Sequence, residues 1–94
     1  MRIEGFIWLD EIENKLQAKH QVSIEEVEEV FADEPQFRFV EKGHRKGEDV
    51  YMVLGRTEAG RYLAALFILK PTNEALVLSA RDMAANERKY YDRT

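Results

Sequence analysis

Residues 3–8, "IEGFIW", are apolar at four of six positions and read as a short first strand. The apolar spacing then widens. Ile12 and Leu16 stand four apart, with Asp10 ahead of them as an N-cap and Glu13 at the capping-box position, which predicts a helix near 11–19. A second helix starts at Ser23, with Glu26 three residues on and Val22 placed to staple to Val27. Its buried face is expected to be Ile24, Val27, Val30 and Phe31, and Pro35 stops it.

Beyond Pro35 the period changes to two. "FRFV" (37–40) reads as a strand, and "EKGHRKGED" (41–49) as a polar loop. "VYMVLGR" (50–56) and "RYLAALFIL" (61–69) flank "TEAG", a hairpin loop in which Gly60 can take a positive φ. The second of these strands is apolar on both faces and should therefore lie centrally in the sheet. "PTNE" turns the chain into a last strand, "ALVLSA" (75–80), and a helix over about 83–92 follows, capped by Asp82. The order β-α-α-β-β-β-β-α describes an α+β fold: two N-terminal helices and one C-terminal helix on a mostly antiparallel sheet of four or five strands.

At 94 residues the chain fits one domain, 1–94, and 45% hydrophobic residues suffice for a packed core. With no cysteine, thiol chemistry, disulfides and Cys-ligated zinc are excluded. Its longest apolar run, Tyr62–Leu69, is too short to span a bilayer, and acids interrupt the N-terminus before a secretory core could form. A soluble cytoplasmic protein with no membrane association is expected.

Charge is unevenly spread. Residues 1–37 carry three cations against ten acids, whereas 38–61 carry six against four, and the whole chain is at −4. Any phosphate-binding surface must therefore be local, because a net basic field is absent. No Gly-rich phosphate loop or metal-ligand spacing occurs, and His20 and His44 stand in different elements, so no cofactor or metal is expected. The remaining cations, histidines, tyrosines and Glu48 are the types that cleave RNA without a metal: a base for the 2′-hydroxyl, cations for the phosphate, an acid for the leaving oxygen.

Each candidate has a plainer reading beside the functional one. Lys19 and His20 suit the negative end of the first helix. His44 belongs to a solvated charge run with Arg45 and Lys46. Glu48 either pairs with an arginine or acts as a base. Arg56 and Arg61 meet at one sheet end across the hairpin. Strand parity places Arg81 on one face with Ser79, Val77 and Ala75. Arg61 and Arg81 end strands where a guanidinium can reach a phosphate, and are expected to serve function more than folding. Otherwise Arg61 pairs with Glu48 or Glu58, and Arg81 with Glu87. In the last helix Ala84, Glu87, Arg88 and Tyr91 share a face, with Glu87 and Arg88 expected as an ion pair. Of Tyr90 and Tyr91, one ring should face the core and the other the solvent.

Six features in order resemble the BrnT family of bacterial toxins, relatives of the RelE-type ribonuclease fold. They are Trp8, "KHQVSIEEVEEVFAD" (19–33), "GED" (47–49), "LGRTEAGRYL" (54–63), "LSAR" (78–81) and "ERKYY" (87–91). Gln21 stands where the family has glycine, and Val50 where an arginine often follows the Gly-Glu pair. The resemblance implies a metal-independent ribonuclease that restrains translation, neutralised by a BrnA-type ribbon-helix-helix antitoxin that carries any DNA binding. It makes Lys19, His20, Glu48, Arg61 and Arg81 the site candidates. The alternative is a non-catalytic module of the same fold that binds a partner protein.

Overall fold

A computed structural model describes residues 1–93. Its elements follow the expected order: β1 Gly5–Ile7, α1 Asp10–His20, α2 Ile24–Ala32, β2 Gln36–Glu41, β3 Val50–Arg56, β4 Tyr62–Leu69, β5 Glu74–Asp82 and α3 Ala85–Arg93. The strands form one sheet ordered β1-β5-β4-β3-β2. Every pairing is antiparallel except β1 with β5. β4, apolar on both faces, lies at the centre as its sequence requires.

Local chemistry sets the helices. In α2 the capping box is complete: Glu26 N–H donates to Ser23 Oγ at 3.1 Å, and Ser23 N–H donates to Glu26 Oε1 at 3.0 Å. Its Val27 and Val30 are fully buried with Val22, while Ile24 stays half-exposed. α1 starts one residue earlier than expected. Leu9 is its N-cap with no side-chain bond, and Asp10 is the first helical residue, acting with Glu11 and Glu13 as negative charge in the first turn. α1 ends at Gln21 in the left-handed region, φ 54° and ψ 43°. That conformation explains why glycine suits this position.

α1 and α2 cover one face of the sheet, and the core lies between: Leu16, Val27 and Val30 meet Val53, Leu63, Ala65, Phe67, Ala75 and Val77. Phe31 joins the layers edge-on, its ring centroid 5.0 Å from that of Phe6 and 5.1 Å from that of Phe67. α2 approaches β3 so closely that a Cβ on Gly55 would sit 2.7 Å from Val30 Cγ1 and 2.9 Å from Val30 O. Gly60, as expected, turns the hairpin with φ 93°.

α3 packs on the opposite face, with no residue of its own buried. Polar and aromatic contacts hold it. Arg81 binds Glu87 through Nη1 and Nη2, at 2.7 and 2.9 Å. Arg88 lies 3.9 Å over the Tyr62 ring, and Tyr91 meets the same ring edge-on at 5.9 Å. Tyr90 faces outward beneath Arg38 at 4.9 Å, so the two tyrosines divide between sheet and solvent. Glu87, not Asp82, serves the helix start, accepting from Ala84 N–H at 2.8 Å. Nor does Glu87 pair with Arg88, whose ionic contact is Asp92 at 4.0 Å.

A β-bulge breaks the expected parity of β5. Leu66 pairs with Ser79 but Phe67 with Val77, so Leu78 is an extra residue. Val77 and Ala75 face the core, whereas Ser79 and Arg81 face α3.

Two measurements follow from this packing. Gly55→Ala drives a methyl group into the Val30 carbonyl, which cannot yield as a flexible side chain would. The expected loss is about 1–3 kcal/mol, a fall in Tm of at least about 4 °C; an unchanged Tm would refute the close approach. Acid should release α3 before the core. The hydrogen bond from Arg81 holds the Glu87 carboxyl below its usual 4.5, so its stabilisation is present above that value and is lost as pH falls through the lowered one. NMR should show the Tyr62–Tyr91 ring contact vanishing as the pH is taken progressively below the usual carboxylate range while the core signals persist; simultaneous loss of both would contradict this.

Candidate functional site

The candidate residues gather at the sheet end where Arg56 pairs with Tyr62, with one exception. Arg61 stands just before β4, on the face that α1 and α2 cover. Its Nε donates to Asp82 Oδ1 at 2.8 Å, and Nη2 donates to Asp82 Oδ2 at 3.2 Å. Nη2 also reaches the His20 carbonyl at 2.9 Å, and Nη1 the Gln21 carbonyl at 2.8 Å and Glu26 Oε2 at 3.3 Å. A guanidinium has five N–H donors, and all of them have acceptors here. The partners are Asp82 and Glu26, not Glu48 or Glu58.

Those bonds hold Arg61 above its usual pKa, the hydrogen bond to Asp82 contributing most, and hold Asp82 below its own. The two carbonyls are among those that α1 leaves unsatisfied at its C-terminus. Arg61 therefore caps α1, joins the capping box of α2 and ties both to the end of β5. Lys19 and His20, both exposed, are presented to solvent from the clasped helix end, where His20 also lies within electrostatic reach of Asp82.

Arg81 is next to Asp82 in sequence but on the other face, beside α3. Its guanidinium is engaged by Glu87, which is also the first cause of its raised pKa. Glu48 is the exception. It precedes β3 at the end where Val50 pairs with Ile68, roughly 20 Å along the strands from the Arg61 end. There its carboxylate binds Lys70, and that hydrogen bond lowers its pKa. Lys19, His20 and Arg61 thus come together, Arg81 lies behind the sheet from them, and Glu48 is remote.

Several side chains at this end escaped the sequence reading. In the sequence Asp82 and Glu26 signal only helix caps, and their distance in sequence from Arg61, 21 and 35 residues, hides the contact. Tyr62 lies between two guanidinium groups, Arg56 at 5.4 Å and Arg88 at 3.9 Å. Beside this stack is an open groove of about 550 Å³, lined by Asp33, Glu34, Gln36, Arg56, Tyr91 and Asp92. Tyr91 Oη donates to the Glu34 carbonyl across it at 3.3 Å. Burial raises the Tyr91 pKa, and Asp33 adds to the shift.

Among the described residues, no group of three or more His, Cys, Asp and Glu side chains is placed to hold a metal ion. No helix among them is long and apolar enough to cross a membrane.

No match was found among curated proteins. A family model does match, over residues 8–87, and it takes in the α1 end, the hairpin and the Arg81–Glu87 pair. Its description is the ribonuclease toxin, BrnT, of type II toxin–antitoxin systems, and this chain belongs to that family.

Proposed function

We propose that this toxin is a metal-independent endoribonuclease acting in the cytoplasm, silenced by a ribbon-helix-helix antitoxin of the BrnA type that also carries any operator binding. The observation that supports it best is the Arg61 clasp, which fixes the backbone of His20 while leaving its imidazole exposed. A neutral imidazole is the side chain best matched to proton abstraction near neutral pH. In this reading His20 takes the 2′-hydroxyl proton, and the 2′-oxygen attacks the adjacent phosphorus. The bond to the 5′-oxygen breaks, and that oxygen leaves with a proton from solvent or from the protonated imidazole. A 2′,3′-cyclic phosphate and a 5′-hydroxyl result. The Lys19 ammonium, next in the chain, offsets charge building on the phosphoryl oxygens.

Arg61 and Arg81 keep their place at the site in a different role. With donors committed to carboxylates, each positions an element: Arg61 the Lys19–His20 end, Arg81 the helix α3. Glu48 would have to act on a second part of the substrate, given its separation from His20. The full engagement of the Arg61 donors, and the pairing of Arg81 with Glu87, favour the second reading, a module of this fold that only binds its partner.

The deciding assay is purified protein with single-stranded RNA in EDTA. Cleavage should persist in chelator; loss that added divalent metal restores would exclude the metal-independent route. His20→Ala should slow cleavage by at least about a hundredfold with Tm unchanged, and no cleavage by folded wild type would leave the binding module.

Arg61→Ala takes the side-chain donor away from the His20 and Gln21 carbonyls, from Asp82 and from Glu26 Oε2. It should cost about 1–3 kcal/mol of stability, visible as a lower Tm, together with a loss of cleavage. Arg61→Lys should recover part of each. An Arg61→Ala variant with full stability would show that the clasp does not hold α1.

A further inference from the structure

The groove between the α2–β2 connection, the end of β3 and the last turn of α3 is not used by the chemistry at His20. Its lining excludes two kinds of ligand. A phosphate would face the carboxylates of Asp33, Glu34 and Asp92 against one guanidinium, Arg56. A metal ion would need a convergent ligand group, and the described residues form none. What fits acceptors beside flat surfaces is a planar molecule rich in N–H donors.

The flat surfaces are present. Tyr91 is half-buried against Tyr62, its orientation fixed by the bond to the Glu34 carbonyl. Arg56 is steadied over the Tyr62 ring and stays charged, its pKa raised chiefly by its hydrogen bond with Tyr62. Unstacked RNA bases are bound in this way, stacked on aromatic rings or guanidinium planes and hydrogen-bonded along their exposed edges. A volume of about 550 Å³ is ample for one base with its ribose.

The acceptors discriminate among bases. Guanine offers two adjacent donors, N1–H and the N2 amine, which match the two oxygens of one carboxylate. Uracil flanks its N3–H with carbonyl oxygens that a carboxylate repels. Adenine and cytosine set a ring-nitrogen acceptor beside their amine. We propose that this groove is a guanine-binding subsite for single-stranded RNA, with Asp33 and Glu34 supplying the carboxylates and Tyr91 and Arg56 the stacking walls. The inference rests on the reading of the toxin as an RNA-cleaving protein. α2, nine residues and roughly 13 Å long, runs from Glu26 beside Arg61 to the groove. A short single strand can reach both ends, so a guanine held here would set which linkage meets His20.

The test is NMR titration of the full chain with the four ribonucleoside 5′-monophosphates. They share the phosphate, so differences report the base. Guanosine monophosphate should shift Asp33–Gln36, Arg56 and Tyr91, and bind at least about tenfold more tightly than the other three. The Asp33→Asn, Glu34→Gln double variant should lose that preference, as should Tyr91→Ala if it folds. Cleavage of a defined RNA should recur at a fixed offset from guanines and become indifferent to them in the double variant. Equal binding of all four nucleotides, or guanosine-selective shifts elsewhere, would overturn the subsite even if the RNA is cut. Selective binding in the groove without cleavage would uphold the subsite and sink the nuclease.

Discussion

A single guanidinium holds three elements of this fold in register. Arg61 stands outside any helix, yet it ends α1, braces the start of α2 and reaches the tip of β5. Two of its acceptors are backbone carbonyls at a helix end, groups that have no partner within the helix. The other two are carboxylates drawn from an acidic N-terminal half and from a strand end. Because the acceptors come from separate segments, the bond set forms only when the whole chain is folded. Its geometry then dictates where Lys19 and His20 stand.

The molecule is organised by pairing of charge more than by its sign. Arg61 with Asp82 and Glu26, Arg81 with Glu87, and Lys70 with Glu48 each bind an acid to a cation between elements. The faces differ in how they use this. The α1–α2 face has a dry core of aliphatic and phenylalanine side chains, and its ion cluster sits only at the rim. The α3 face adds tyrosine rings and guanidinium groups beside the buried Leu54 and Ala64, and these contacts keep docked a helix with no buried residue of its own. Tyr62 and Tyr91 in this layer are only half-buried, and Tyr90 is exposed.

Most of the fold is legible in the sequence because local rules governed it. Ser23 and Glu26 announce a capping box that forms in full, Pro35 marks the change of period, and a strand apolar on both faces lies at the centre. The misses share a cause. Asp10 and Asp82 both have the residue type for an N-cap, but α1 starts from Leu9, and Asp82 is bound to a residue 21 positions earlier. Glu87 and Arg88 are neighbours in sequence, yet the stronger partner for Glu87 comes from β5. The candidate site can be read from the sequence as a list of residue types but not as an arrangement. Nothing local says that Glu48 is at the far end of the sheet, or that the two arginines are committed.

The bulge at Leu78 gives that arrangement an unusual dependence on chain length. Downstream of it every residue of β5 is one step out of phase with those upstream, and so Arg81 looks toward α3 while Asp82 looks toward Arg61. A strand tolerates many substitutions at such a point, but counting matters more than chemistry. One codon gained between Leu78 and Arg81 would exchange the two faces and break both ion clusters at once. One codon lost at Leu78 itself would simply remove the irregularity. In-frame insertions and deletions in this segment should therefore be filtered by position far more sharply than point mutations are.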